Sequence, residues 1–262
     1  MNITYYIFFF IFGAVMGSFY HVVASRLSIP NGSILEPKRS YCPNCNHSLK
    51  WYELIPIVSY LLQLGKCRHC HKPISIMYMF IELTTGLLFL LSYHSFGISL
   101  ELIIALALVS FLSIVIVSDL NYLIIPDEVT LTISIIIMVV NLFLYGIGPS
   151  LLKLGSGILL FVFMYLLMKL GNFLFKAESL GGGDIKLMFV VGLVVNPLIG
   201  LVVIFLASFI ALPISLILYY MNKEKVIPFG PFIIVSLVLV FFMKIDLNSI
   251  YNFLQTLVIP IF

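Results

Sequence analysis

The chain has 262 residues, of which 62% are hydrophobic and only 10% are charged. Its mean hydropathy of +1.18 excludes an ordinary soluble domain, since such domains carry about 25% charged residues. The formal net charge of +3 gives no reason to expect nucleic acid as a partner, and we expect none.

Apolar stretches near or above about 18 residues, the length that crosses a lipid bilayer, recur along the chain. We therefore predict an all-α polytopic membrane protein with about eight transmembrane helices. The stretch 185–221 is far too long for one span, and Asn196-Pro197 is a second candidate point of division within it. No cleavage site follows the first span, which we expect to be retained. The predicted spans are residues 5–24, 76–93, 100–118, 128–146, 151–171, 185–202, 204–221 and 230–243.

Lysine and arginine predict the orientation of these spans. Twelve of the 14 basic residues flank the loops that follow the odd-numbered spans, and only Lys153 and Lys244 flank the loops that follow the even-numbered spans. By the positive-inside rule the basic loops face the cytosol, so both termini face outward. The twelve are Arg26, Lys38, Arg39, Lys50, Lys66, Arg68, Lys72, Lys169, Lys176, Lys186, Lys223 and Lys225.

Residues 25–75 break the apolar pattern and hold all four cysteines, as two Cys-x-x-Cys pairs. Such pairs are typical of a four-thiolate zinc site, whose role is structural because no coordination position is left for water or substrate. Disulfides and unligated thiols are the alternatives, and a cytosolic location argues against disulfides. The nearby histidines His47, His69 and His71 are predicted to be solvated loop residues. The predicted zinc ligands are Cys42, Cys45, Cys67 and Cys70.

The predicted organisation has four parts. Residues 1–24 form the first transmembrane helix, and residues 25–75 form a cytosolic zinc-binding loop between helices 1 and 2. Residues 76–243 contain the remaining membrane helices, and residues 244–262 form a short C-terminal tail.

Two aspartates are candidates for chemistry, because a carboxylate beside a membrane segment is costly to desolvate. Asp119 ends the third span and Asp184 precedes the sixth, so the parity of the spans puts both at the cytosolic boundary. Two aspartates that share one proton supply the base and the acid that peptide hydrolysis needs. Helix dipoles predict that Asp184 is ionised and Asp119 protonated, and a Lys186 that contacts Asp119 would reverse this.

Each acidic candidate also has a structural interpretation. Asp184 is a good N-cap, although the glycines before it also allow a substrate strand to approach, which makes Gly181 and Gly183 candidate supporting residues. Asp127 resembles the N-cap of the fourth span, with a substrate or proton role as the alternative. Glu82 lies inside the second span, where it is either a site residue or the partner of a loop arginine.

The Gly-x-Gly-Asp motif at 181–184, with an earlier aspartate at a helix end, resembles the GxGD aspartic proteases of membranes, above all the bacterial type IV prepilin peptidases. The likeness runs from about residue 13 to 232. It includes Gly17-Ser18-Phe19-Tyr20-His21, the two cysteine pairs and Trp51-Tyr52-Glu53-Leu54-Ile55-Pro56. The sequence departs from that family at His21, where Asn is usual, and at Tyr78-Met79, where Tyr-Pro is usual.

The resemblance implies that Asp119 and Asp184 are the catalytic pair and that Asp127 is not. It implies an endopeptidase of the bacterial plasma (inner) membrane whose active site faces the cytosol. Its substrates would be membrane-anchored prepilins or pseudopilins, cut after glycine to remove a basic leader. The intact four-cysteine loop resembles the bifunctional members, which also methylate the new N-terminus with S-adenosylmethionine.

Two hypotheses from other classes stay open at this stage. One is a proton-coupled membrane transporter, in which the intramembrane carboxylates form a proton path. The other is a zinc-stabilised membrane assembly factor without catalysis.

Overall fold

The structure, a computed structural model, describes residues 2–29, 32–37, 39–176, 181–220 and 228–246. These residues form helices and loops, with only isolated β-bridges. A 3₁₀ turn covers Trp51–Glu53. The α-helices are α1 (Ile3–Leu27), α2 (Val58–Leu62), α3 (Ile76–Phe96), α4 (Leu100–Tyr122), α5 (Asp127–Tyr145), α6 (Ile147–Phe175), α7 (Gly182–Val194), α8 (Pro197–Tyr220) and α9 (Gly230–Phe242).

The helices confirm a multi-pass membrane protein. Six of them, α1, α3, α4, α5, α6 and α8, are long and apolar enough to cross a bilayer. Helices α7 and α9 have 13 residues each, which is about 20 Å of helix against a hydrocarbon core of about 30 Å. The count of eight crossings therefore stays a prediction. Lys38, Lys223, Lys225 and most of the predicted tail (247–262) lie outside the described residues.

The chain forms two compact units, Met1–Pro126 and Asp127–Phe262. In the first unit, α1 packs closely against α3 because glycines let the two backbones approach. A Cβ added at Gly13 would lie 2.7 Å from Cβ of Phe89, and one added at Gly86 would lie 3.0 Å from the Phe10 carbonyl oxygen. The first distance is too short for a Cβ and the second is tight, so these glycines allow the close approach of the two helices.

Helix α4 is the core of the first unit. Fifteen of its 23 residues are buried, more than in α1 or α3. Hydrogen bonds between hydroxyl groups attach it to both neighbours. Tyr20 Oη on α1 lies 2.6 Å from Ser110 Oγ, and Thr85 Oγ1 on α3 lies 2.8 Å from Ser113 Oγ. Such bonds satisfy polar side chains where water is absent.

Helix α7 is the core of the second unit, in contact with α5, α6, α8 and α9. Leu187, Met188, Val190 and Val191 on it have no exposed surface. A Cβ added at Gly192 would lie 2.5 Å from the Gly157 backbone on α6, so α6 and α7 touch through their backbones at this crossing.

The break between α7 and α8 lies at Val195 and Asn196, so the predicted boundary between residues 202 and 204 is wrong and the alternative at Asn196-Pro197 is right. Pro197 has no N–H and restricts the residue before it, so it begins a helix but does not continue one.

The break leaves carbonyl groups at the end of α7 without helical partners, and one buried and one half-buried side chain satisfy them. Asn141 Nδ2 on α5 donates to the Leu193 carbonyl over 2.9 Å. Lys153 Nζ on α6 donates to the Val194 carbonyl and to Asn141 Oδ1, each over 3.2 Å. The negative end of the α7 dipole also favours a cation at this position.

Candidate active site and metal centre

The four cysteines lie on two similar hairpins in the first unit. In the first hairpin, Cys42 N–H donates to the His47 carbonyl, and in the second, Cys67 N–H donates to the Lys72 carbonyl. Each turn places the residue after its second cysteine in the left-handed region, with φ of 54° at Asn46 and 57° at His71. The left-handed backbone of His71 is therefore a feature of the turn.

The sulfur atoms of the two hairpins converge on one point. The four Sγ atoms lie within 4.8 Å of one another, and those of Cys42 and Cys70 are 3.9 Å apart. Four thiolates around a zinc ion at about 2.3 Å are separated by about 3.8 Å in a tetrahedron, whereas a disulfide requires about 2.05 Å. All four cysteines are free, so the cluster fits a structural metal site and the disulfide alternative is wrong.

Two of the thiols are shifted in opposite directions. Hydrogen bonds from the backbone N–H groups of Cys70 and His69 lower the pKa of Cys67 to about 7. The backbone N–H of His47 acts the same way on Cys45, but burial and the neighbouring sulfurs outweigh it and raise the pKa of Cys45 to about 12. Cys67 therefore loses its proton readily and Cys45 resists losing it. A bound cation would lower the cost of deprotonating Cys45, because it stabilises thiolates directly.

The three loop histidines stand outside the sulfur cluster. His47 and His69 stack on each other with ring centroids 5.0 Å apart, and His69 and His71 are exposed. Among the described residues, the group that could hold a metal ion contains the four cysteines alone.

Glu82 holds a loop backbone rather than a loop arginine. Its carboxylate is buried and accepts the backbone N–H of Ile57 over 2.7 Å, with a further hydrogen bond from the Ser18 hydroxyl. Ile57 has a φ of 64°, which is uncommon for a β-branched residue and persists where the surroundings impose it. The predicted arginine partner is therefore wrong, and sequence reasoning missed Ile57 because its contribution is a backbone group.

The first departure from the family pattern, His21, contacts the residue that precedes the second, Met79. The His21 ring on α1 stacks on the Tyr78 ring on α3, with centroids 3.7 Å apart and planes 22° from parallel. Met79, the second departure, follows Tyr78 directly. The flat imidazole at His21 thus packs against a residue next to the other unusual position.

Asp119 lies in the last turn of α4, as the sequence predicts. It is 7% exposed, and its backbone carbonyl accepts the N–H of Leu123, which ends the helix in a left-handed conformation. The negative end of the α4 dipole therefore falls at this carboxylate and disfavours its charge.

Asp184 lies in the first turn of α7 and is 8% exposed. The N-cap of this helix is Gly181, so the predicted N-cap role of Asp184 is wrong. A Cβ added at Gly181 would lie 3.4 Å from the Asp184 carboxylate, an ordinary van der Waals contact, so Gly181 lies directly beside this acid. The positive end of the helix dipole favours its charge.

Asp127 is the first residue of α5, and its carboxylate forms an ion pair with Lys186. Lys186 follows Asp184 by two residues on α7, so the pair joins the start of α5 to the first turns of α7. Sequence reasoning used Lys186 for orientation and as a possible partner of Asp119, and missed Asp127 as its partner. The place of Lys186 two residues after the Gly-x-Gly-Asp motif was the available signal.

A cavity of about 630 Å³ opens beside this ion pair. Its walls are apolar, formed by side chains of α5, α6 and α7, and Asp127, Glu128 and Lys186 supply charged groups. The other lining residues are Thr130, Leu131, Ser134, Ile158, Phe161 and Phe189.

Comparison with known proteins identifies the family. Residues 11–96 match the family described as Bacterial Peptidase A24 N-terminal domain, and residues 106–216 match the Type IV leader peptidase family. The prepilin leader peptidase/N-methyltransferase of Bacillus subtilis (strain 168) is 34% identical over 251 residues, which cover 92% of this chain and 96% of that protein. The chain belongs to the type IV leader peptidase family.

A second relative supports the same assignment. The prepilin leader peptidase/N-methyltransferase of Vibrio cholerae serotype O1 is 31% identical over 262 residues, which cover 92% of this chain and 98% of that protein. No solved structure matches the chain. The resemblance predicted from the motifs is confirmed, and the transporter hypothesis finds no support.

We expect the purified protein to carry about one zinc ion per chain, because four convergent thiolates form a closed tetrahedral site. Cys42→Ser and Cys67→Ser should each lower the zinc content at least severalfold and make residues 25–75 more sensitive to protease. His69→Ala, a change in the same hairpin outside the cluster, is the control. Elemental analysis of freshly purified protein measures the metal, and full loading of the cysteine variants would reject the site.

Proposed function

We propose that this protein is a membrane aspartic endopeptidase that removes the leader of prepilins or pseudopilins. The observation that carries the proposal is a buried aspartate at one end of each core helix, Asp119 on α4 and Asp184 on α7. The relatives named as prepilin leader peptidases support the substrate class. Such substrates carry a basic leader directly before an apolar membrane segment.

The two aspartates differ in their helix ends, and we propose that their roles differ accordingly. Asp184 would start the reaction as the carboxylate that takes a proton from water, because the N-terminal end of α7 favours charge. Asp119 would donate a proton toward the scissile carbonyl, because the C-terminal end of α4 favours the neutral acid. Lys186 contacts Asp127, which supports this order rather than its reverse. The two groups would titrate as a coupled pair.

We propose that the Asp127–Lys186 ion pair supports the dyad by orienting the first turns of α7. The two side chains are 72% and 42% exposed, and such pairs contribute only ~0–1 kcal/mol to stability. A role in positioning would therefore affect activity more than folding. The apolar cavity beside the pair is suited to the start of the substrate's apolar segment, with Glu128 near its basic leader.

Two cofactors belong to the proposal. The four cysteines would hold zinc in a structural role, for the geometric reasons given above. The printed names of the relatives support a second activity, in which the new N-terminal amine is methylated with S-adenosylmethionine. No residue is assigned here to the methyl donor.

We also propose that the protein lies in the bacterial plasma membrane with the basic loops and the dyad facing the cytosol. The charge bias supports this orientation, because lysine and arginine are retained on the cytosolic side. A peptidase with this topology reaches a leader that has not crossed the membrane.

Asp119→Asn and Asp184→Asn should each reduce leader removal at least ~100-fold, because either change removes one partner of acid–base catalysis. The measurement is the N-terminal mass of a prepilin co-expressed with each variant, which reports the cut and any added methyl group. Glu101→Gln is the control, since Glu101 lies in the first turn of α4, at the opposite end from Asp119. Normal cleavage by a stably folded Asp119→Asn variant would reject the dyad.

Asp127→Asn and Lys186→Met should each lower kcat/KM by about tenfold, and the double variant by no more than either alone, because both break one interaction. Thermal unfolding in detergent should change little. Glu101→Gln, an acidic residue in the first turn of α4 with no role in the proposed site, is the control. Additive losses in the double variant would show that the two side chains act separately.

A protease-cleavable tag inserted at Glu178 should be cut only from the cytosolic side. Tags at Ser95, in the last turn of α3, and at Gly148, in the first turn of α6, should be cut only from the outer side, because few basic residues flank the adjoining loops. Protease treatment of intact spheroplasts and of inverted vesicles makes this comparison. The opposite pattern would place the dyad on the wrong side for the proposed substrate.

A further inference from the structure

The segment between the two cysteine hairpins exposes an unusual amount of apolar surface. It lies outside every predicted span, in the region that the sequence analysis treats as polar. Trp51, Leu62 and Leu64 are 77%, 72% and 84% exposed. The exposed large apolar side chains of the segment are Trp51, Leu54, Ile55, Val58, Leu61, Leu62 and Leu64. So many exposed apolar side chains within 14 residues of sequence indicate contact with a partner or a membrane.

Hydrogen bonds hold the segment beside α3. Ile57 N–H donates to Glu82 over 2.7 Å. Tyr60 Oη donates to the Ile74 carbonyl over 3.4 Å, and Ile74 N–H donates to the Gly65 carbonyl over 2.7 Å. The segment is thus attached at the start of α3 and again inside that helix.

The attachment of Ile57 to Glu82 shows where the segment lies along α3. Helix α3 has 21 residues, or about 31 Å, which matches a hydrocarbon core of about 30 Å. Glu82 follows the first residue of α3 by six positions, so it lies about 9 Å along the helix from that end. Because the Ile57 N–H binds the Glu82 carboxylate, the segment is attached to the first turns of a helix long and apolar enough to cross the membrane.

The short helix α2 turns its apolar side chains away from this attachment. Tyr60 points back toward Ile74, whereas Val58, Leu61 and Leu62 are exposed in the part of the chain that the structure describes. Beside a helix long and apolar enough to cross a bilayer, exposed apolar side chains favour contact with lipid over contact with water.

Basic residues border the apolar segment in sequence. Lys50 precedes it and Lys66 follows it, and both are exposed. Arg68 and Lys50 lie over the Tyr52 ring, with their charged groups 5.3 Å and 5.9 Å from its centroid. Apolar side chains flanked by lysine and arginine are typical of segments that insert at the bilayer interface, where the cations contact anionic headgroups.

We propose that residues 51–64 form an interfacial wedge, inserted among the phospholipids of the leaflet that borders the 25–75 segment. Lipid acyl chains contact the exposed leucines, and anionic headgroups contact Lys50 and Lys66. The wedge holds the two cysteine hairpins at the membrane surface. This proposal rests on the first unit alone and does not depend on the proposed peptidase activity.

The chain contains a single tryptophan, which lies at the start of the wedge, so the wild-type protein reports its own position. Full-length protein is reconstituted into vesicles of phosphatidylcholine and phosphatidylglycerol. Trp51 emission is then measured with phospholipid brominated near the headgroup end of its acyl chains, and separately with aqueous acrylamide. We expect the brominated lipid to quench roughly half or more of the emission and acrylamide to quench little, as for an interfacial residue.

Paired variants test whether contact with lipid is what protects Trp51 from acrylamide. Leu62→Glu combined with Leu64→Glu should raise acrylamide quenching of Trp51 by roughly twofold or more, because the wedge leaves the lipid. Gln63→Glu adds a charge to the same turn at a less exposed residue and should have a smaller effect. Strong acrylamide quenching of the wild type without lipid quenching would overturn the proposal. Protection of Trp51 from both quenchers would overturn it equally, because protein and not lipid would then cover the wedge.

Discussion

The bilayer interior offers no water to polar groups, and this constraint accounts for the polar contacts between helices among the described residues. Hydroxyl groups on α1 and α3 bond to hydroxyl groups on α4. The carbonyls left open at the end of α7 are satisfied by Asn141 and Lys153. Glu82 holds a backbone N–H of the neighbouring loop. Each of these polar side chains is placed where a partner exists, which leaves helix ends as the natural positions for the remaining buried carboxylates.

In each unit the aspartate lies at one end of a largely buried helix, the last turn of α4 or the first turn of α7. Helix α4 is fixed by packing on α1 and α3, and α7 by packing on four neighbours. A side chain on such a helix moves little, since its backbone is held along its length, and a catalytic group needs this restraint. The two helix ends have opposite polarity, so the backbone itself distinguishes the two carboxylates before any side chain acts on them.

The sequence predicts those features whose signal is local. Apolar runs located the helices within a few residues except at the division between α7 and α8, and the Cys-x-x-Cys spacing located the four sulfurs that converge. The features that it missed depend on distant or backbone partners. Asp127 and Lys186 are 59 residues apart, and the Ile57 N–H that binds Glu82 has no sequence signature. The apolar residues of 51–64 were overlooked because the basic and polar residues around them dominate the composition of 25–75.

The metal centre and the wedge act on one stretch of chain, so their free energies are coupled. The proposed zinc ion joins Cys45 to Cys67 and closes a loop that contains the whole wedge, which reduces the conformational freedom that the wedge loses on entering lipid. Conversely, a wedge fixed at the interface through Glu82 keeps the two hairpins close together and favours metal binding. The two effects must be equal in size, because coupling between binding equilibria is reciprocal. Zinc should therefore be retained more tightly in vesicles than in a detergent that does not support the wedge, and chelation in vesicles should expose Trp51 to acrylamide. If zinc affinity is the same in both media, the wedge and the metal centre are independent.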